Sequence, residues 1–175
     1  MGISTTALGT GTWTVSVFTA ALAAQTFHMI EHVAQLYQHG ILGWSIPASR
    51  GLVFFLDFEW NHWFFNATYL VLLFYVFLQC KFYDSNGPAS QRRFACYAFN
   101  AGLLVQGYHV IEHTVRIAQF LQTGCDPCKG ILGWYFDGVY LHATLNTIVY
   151  ALPLAAFFVY GFHSKMLSIV GRKTS

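Results

Sequence analysis

Two stretches decide the fold: His28-Met29-Ile30-Glu31-His32 and, 81 residues later, His109-Val110-Ile111-Glu112-His113. Outward from them, Asp57-x4-His62-x3-Asn66 returns 80 residues on as Asp137-x4-His142-x3-Asn146. Gln25 and Gln38 recur as Gln106 and Gln119. Self-similarity kept in register over half a chain reads as an internal duplication. Both copies retain histidines and carboxylates within or beside strongly apolar segments, which points to a site.

The length of 175 residues fits one domain, 1–175. Hydrophobic residues make up 55%, aromatic 18% and charged only 9%, against roughly 25% charged in soluble domains. Four apolar stretches stand out, at about Trp13–Gln38, Gly51–Cys80, Arg93–Gln122 and Gly133–Phe162. Each exceeds the ~20 residues a helix needs to cross hydrocarbon. None alternates with period two, so helices are expected rather than barrel strands. The expected fold is an all-α integral-membrane bundle of four transmembrane helices. It is built from two tandem parallel helical hairpins, repeat one at about 13–80 and repeat two at about 93–162. Two spans separate equivalent helices, so the repeats relate by a pseudo-two-fold axis along the membrane normal.

Basic residues orient this bundle. Lys81, Arg92 and Arg93 lie between the second and third stretches, and Lys165, Arg172 and Lys173 in the tail. The other two connections hold only Arg50 and Lys129. The positive-inside bias predicts a multi-pass protein with both termini cytoplasmic. The connections near 39–50 and 123–132 then face outward, with the mouth of the site. The expected partner is the lipid bilayer, with other subunits of a membrane complex as an alternative and no nucleic acid.

Gln25, His28, Glu31, His32, Gln35, Gln38 and His39 follow at offsets of three or four and stack on one helical face. Gln106, His109, Glu112, His113, Arg116 and Gln119 repeat the stripe. A charged group in a spanning helix costs roughly 2.5–3.5 kcal/mol on insertion scales, so the stripes should turn inward and face each other. Histidines four apart lie about 6 Å apart on one face, and both can converge on one ion. The predicted metal ligands are His28, Glu31, His32, Asp57 and His62, duplicated as His109, Glu112, His113, Asp137 and His142. Glu31 and Glu112 double as catalytic bridging or proton-accepting groups. Asp57 and Asp137 stand off the face of their histidines and are alternatively caps or orienting groups. Gln25, Asn66, Gln106 and Asn146 are read as hydrogen bonders behind the ligands.

The halves differ at two inward positions: Glu59 answers to Val139, and Arg116 to Gln35. Glu59 and Arg116 either form a buried pair, or Arg116 neutralises Glu112 and weakens the second metal position. The pentapeptide GILGW, at Gly40–Trp44 and Gly130–Trp134, is out of register with the ligands and suits loops. Cys125 and Cys128 suit a loop disulfide on an oxidising side.

Histidine nitrogens with carboxylates on a four-helix bundle suit two divalent or redox metal ions, iron foremost, then copper or zinc. The leading expectation is a membrane di-metal oxidoreductase of the oxygenase type, acting on a lipophilic or small substrate. The alternatives are a divalent-cation transporter or channel, a b-type haem protein with His28 and His109 as axial ligands, and an accessory subunit with a structural metal. His-x-x-Glu-His is also the inverzincin protease pattern, but a protease needs no second copy.

Overall fold

A computed structural model describes residues 11–53, 58–82 and 90–173. Asp57 lies outside the described residues. Five α-helices carry the architecture: α1 (Thr12–Leu36), α2 (Glu59–Cys80), α3 (Ser90–Thr123), α4 (Gly138–Val159) and α5 (Phe162–Lys173). No strand occurs among the described residues. The all-helical expectation therefore holds.

Helix boundaries differ from the apolar runs where the backbone meets a polar side chain. α1 continues into a π-helical turn at Tyr37–Ile41. α2 begins only at Glu59, although the apolar run starts at Gly51. Gly51 takes φ +76°, and the following amides turn away to a side chain on α1. α4 begins at Gly138 because Asp137 caps it, its Oδ1 accepting from the amides of Val139 (2.9 Å) and Tyr140 (3.3 Å).

α1 packs on α2 and α4, and α3 packs on the same two, so the four long helices close a ring. α5 lies against α1 and α4. Residues that correspond in the sequence repeat make matching contacts. Gln25 of α1 donates to Asn146 Oδ1 of α4 at 3.1 Å, and Gln106 of α3 donates to Asn66 Oδ1 of α2 at 3.1 Å.

By length and composition, α2 and α4 are apolar enough to cross a membrane. The expectation of four spans is reduced to two by this measure, since α1 and α3 carry the polar stripes. The ring interior is divided. Towards the end where α5 packs it is apolar, with Phe18, Leu73, Phe99, Val149, Phe157 and Phe162 all buried. Towards the 37–53 and 124–137 loops it is lined with buried Gln, Asn and His.

Pro153 interrupts α4 without leaving a loss. It has no N–H for the carbonyl four residues back, and the buried Tyr69 hydroxyl donates to that Val149 carbonyl at 3.2 Å. Gly102 of α3 admits the proline ring: a Cβ there would lie 2.8 Å from Pro153 Cδ.

Phe18 organises the apolar end, edge-on to Phe99, Phe157 and Phe162 with centroids at 5.6, 5.3 and 5.3 Å. Phe18→Ala removes contacts to three helices at once and should destabilise by about 3 kcal/mol. Thermal unfolding in detergent checks this, and an unchanged midpoint would contradict the packing.

Candidate metal centre

The polar end is built by four helices. α1 supplies His28 and His32, α2 His62, α3 His109 and His113, and α4 His142. One nitrogen each from His28, His32 and His62 lies within 4.8 Å of the others, and the same holds for His109, His113 and His142. His28 and His32 approach Nε2 to Nε2 at 3.1 Å, His109 and His113 at 3.0 Å, and His113 and His142 at 3.3 Å. Nitrogens held ~2.0–2.1 Å from one tetrahedral ion stand about 3.3 Å apart. Each group could hold a cation, and the same separations also suit hydrogen bonds between the rings.

The two groups form one cluster. His32 stacks across the ring on His142 (centroids 6.0 Å, 10° between planes), and His62 stacks on His113 (5.5 Å, 7°). The duplication maps each pair onto the other.

The outer ring nitrogens fix the tautomers. His32 Nδ1 meets Gln35 Oε1 at 2.7 Å, His113 Nδ1 meets Glu59 Oε1, and His142 Nδ1 meets the Gly138 carbonyl at 3.2 Å. For His32 and His113 the partner is an acceptor, so Nδ1 carries the proton and Nε2 presents a lone pair to the cluster; His142 also meets the Arg116 Nη1 donor at both ring nitrogens. A histidine ligand is ordinarily oriented in this way. Behind them, Asn66 and Asn146 donate to the carbonyls of His62 and His142 at 2.9 and 3.0 Å. Asn146 Nδ2 also lies 2.9 Å from His32 Nε2.

Carboxylates occupy other places than the spacing predicts. Glu31 Oε2 accepts from the amides of Leu52 (2.7 Å) and Val53 (3.2 Å). Glu112 Oε1 accepts from Ile131 (2.9 Å) and Leu132 (3.1 Å), while its Oε2 takes the Tyr108 hydroxyl at 2.8 Å. Neither glutamate joins the histidine groups. Their i+3 position puts them beside the histidines, but unpaired loop amides at the same level claim them. Asp137 is a helix cap and also meets His39 Nε2 at 3.1 Å, so its capping alternative is the one realised. Asp57, its counterpart, is outside the described residues.

Each copy adds a glutamine to the same loop clamp. Gln38 bonds both the N–H and the carbonyl of Gly51, and Gln119 does so with Gly130. Gly51 and Gly130 have φ +76° and +70°, and a Cβ on either would collide with Glu31 or Glu112. The repeat partner of Gly130 is therefore Gly51. Gly40, its match in the GILGW pentapeptide, instead faces the Tyr140 hydroxyl.

The asymmetric residues meet each other. Arg116 Nε pairs with Glu59 Oε2 at 3.2 Å, and Arg116 Nη1 approaches both ring nitrogens of His142 at 3.0 and 3.2 Å. The buried pair is the alternative that the structure adopts. A cationic guanidinium thus faces one histidine group and not the other. Arg116 Nε also donates to the Cys128 carbonyl at 2.8 Å, tying the pair to a loop closed by the Cys125–Cys128 disulfide.

A cavity of about 470 Å³ opens between the two loops, with His32, His62 and His142 at its floor beside Glu59 and Arg116. Gln35 and His39 were on the stripe read from sequence, but their tasks, orienting His32 and pinning the loop, needed the fold. A Gln three positions after His32 was the available signal. No family model, no curated protein and no solved structure matches the chain.

Two predictions follow from the clamps. Glu112→Ala leaves the Ile131 and Leu132 amides without an acceptor, at about 1–3 kcal/mol. Hydrogen exchange across 130–137 should quicken about tenfold or more, since 1.4 kcal/mol is tenfold; unchanged exchange would remove the clamp. The half-buried His39 has its pKa raised by the Trp44 carbonyl (2.6 Å) and then by Asp137. Its contribution is full below its unfolded value of 6.5 and is lost as pH rises through the higher folded value. An NMR titration should place its midpoint above 6.5, and Asp137→Asn should lower it.

Proposed function

We propose that the chain is an integral-membrane metalloprotein whose six clustered histidines hold up to two redox metal ions in an oxidoreductase centre of the oxygenase type. The observation that carries this reading is the tautomer lock: His32 and His113, one in each group, commit Nδ1 to acceptors while the Nε2 atoms of their groups converge. Three neutral imidazoles per ion leave a coordination position free for water or substrate, as catalytic sites do. With Glu31 and Glu112 bound to loop amides, the donor set is all nitrogen. Imidazole suits copper as well as iron, and copper moves level with iron for want of bridging carboxylates.

The membrane part rests on surface and interior together. Phe27 and Ile30 of α1, Phe64 and Phe74 of α2, and Leu104 and Ile111 of α3 are exposed, while the polar stripes of α1 and α3 face inward. An apolar outside over a polar inside suits four spanning helices. Both termini then lie on the cytoplasmic side and the cavity on the outer one. Passage of a cation fits less well, because the packed Phe18 cluster closes the bundle beyond the histidines. Haem fits less well too, since His28 and His109 as axial ligands would leave the grouped His32, His62, His113 and His142 without a task.

Metal analysis with an optical spectrum of protein purified in detergent tests the proposal. Stoichiometric iron or copper without a Soret band is expected. His32→Ala should lose about half the metal, since a helix chelate loses one arm, whereas Glu31→Gln should keep it. Arg116→Gln should bind the second ion more tightly, because a cation beside it is gone. Full metal in His32→Ala/His113→Ala would leave only a hydrogen-bonded polar core.

A further inference from the structure

We propose that the end of the bundle where α5 packs binds anionic phospholipid headgroups, with α5 lying along the membrane interface. The inference rests on the membrane part of the reading above and not on the metal. It begins with the uneven placing of charge. Lys81 is the C-cap of α2, Arg92 and Arg93 stand in the first turn of α3, and α5 carries Lys165, Arg172 and Lys173. Ring contacts bring these three places together: Phe82 stacks on Phe99 of α3 at 4.2 Å and meets Tyr160, just before α5, at 4.8 Å. Six of the nine Lys and Arg residues are thus gathered at one end. Acids are scarce in the same segments: the sequence holds only Asp84 between Glu59 and Glu112, and none after Asp137. At the opposite end the cavity is lined by four acids and three cations. The excess of positive charge belongs to the α5 end alone.

α5 has the build of a helix that lies in an interface. Phe162 is buried, and Met166 and Ile169 pack against the apolar core. Leu167 and Val170, three apart and so on one face, are 64% and 56% exposed. Lys165 stands two residues before Leu167, on the other side of the helix, and the cation recurs seven residues on at Arg172. An apolar edge beside a basic one settles a helix between acyl chains and headgroups.

The surrounding surface continues the same pattern. Tyr97, Leu104 and Ile111, seven apart and all exposed, run down one side of α3 from this end. Trp13, at the start of α1, is exposed at the level of Tyr97, where aromatic rings collect at a membrane surface. A bilayer supplies both the hydrocarbon for these apolar strips and the phosphates for the cations above them. Groups of four to eight cations beside a spanning helix attract anionic lipids, by about fivefold in affinity for each cation near the surface.

Spin-labelled phosphatidylglycerol and phosphatidylcholine, compared on the full chain reconstituted into phosphatidylcholine vesicles, test this. The readout is the fraction of each lipid immobilised by the protein. Phosphatidylglycerol should be preferred about fivefold or more at low salt. The preference should fade at about 1 M salt, where the screening length is about 3 Å. Lys165→Gln/Arg172→Gln/Lys173→Gln should lose roughly half of it or more, and Lys81→Gln/Arg93→Gln should act in the same direction. Arg50→Gln/Lys129→Gln, at the opposite end, should keep it. Equal uptake of the two lipids, or a preference that survives both sets of substitutions at the α5 end, overturns the inference and leaves this end to an acidic protein. The membrane reading stands in that case, because immobilised lipid of either kind reports helices in contact with the bilayer. Protein that does not float with the vesicles overturns both.

Discussion

Everything at the polar end follows from the need to match buried donors with buried acceptors inside a ring whose outer surface is largely apolar. A polar side chain left without a partner in such a place costs about 1–3 kcal/mol. The ring solves this for the amide donors across the repeats, while Gln25 Oε1, Gln106 Oε1 and His109 Nδ1 stay buried without a partner. Gln25 finds Asn146 and Gln106 finds Asn66, so each of these two glutamines is met by an asparagine from the other copy. The asparagines in turn hold the carbonyls of His62 and His142 one turn away. These bonds fix the axial level of the four helices, and the histidines meet because that level is fixed.

The same demand explains the loops. Backbone leaving α1 or α3 must return to begin α2 or α4, and its amides there have no helical partners. Glu31 with Gln38, and Glu112 with Gln119, supply acceptors to the turn at Gly51 and at Gly130. Two glycines at positive φ let the backbone pass close over the carboxylates. The cavity above the histidines keeps its shape because these clamps hold its two walls.

Much of this was legible in the residues themselves. The repeat, the helical class, the inward stripes and the meeting of all six histidines were readable because side-chain spacing on a helix maps directly to a face. Asp137 as a cap was readable from its place five residues before His142. The carboxylate roles were not. Glu31 lies on the same face as His28 and His32, and spacing says nothing of where a loop's amides will come to rest. The approach to α2 illustrates the same limit: the sequence from Gly51 is as apolar as a helix, yet polar clamps hold the amides of Gly51, Leu52 and Val53, and α2 begins at Glu59. Among the described residues only α2 and α4 are apolar enough by composition to cross a membrane. The stripes that mark the site also disguise α1 and α3.

The Glu59–Arg116 pair joins α2 of the first repeat to α3 of the second. A symmetric assembly of two first halves would carry two such glutamates facing Gln35, with no guanidinium between them. Two second halves would set two arginines beside their histidines, each opposite a valine. Only the mixed pairing balances. The two similar halves are complementary parts, and one chain guarantees that they meet in equal number. Likeness between the halves coexists with a division of labour that neither half can leave.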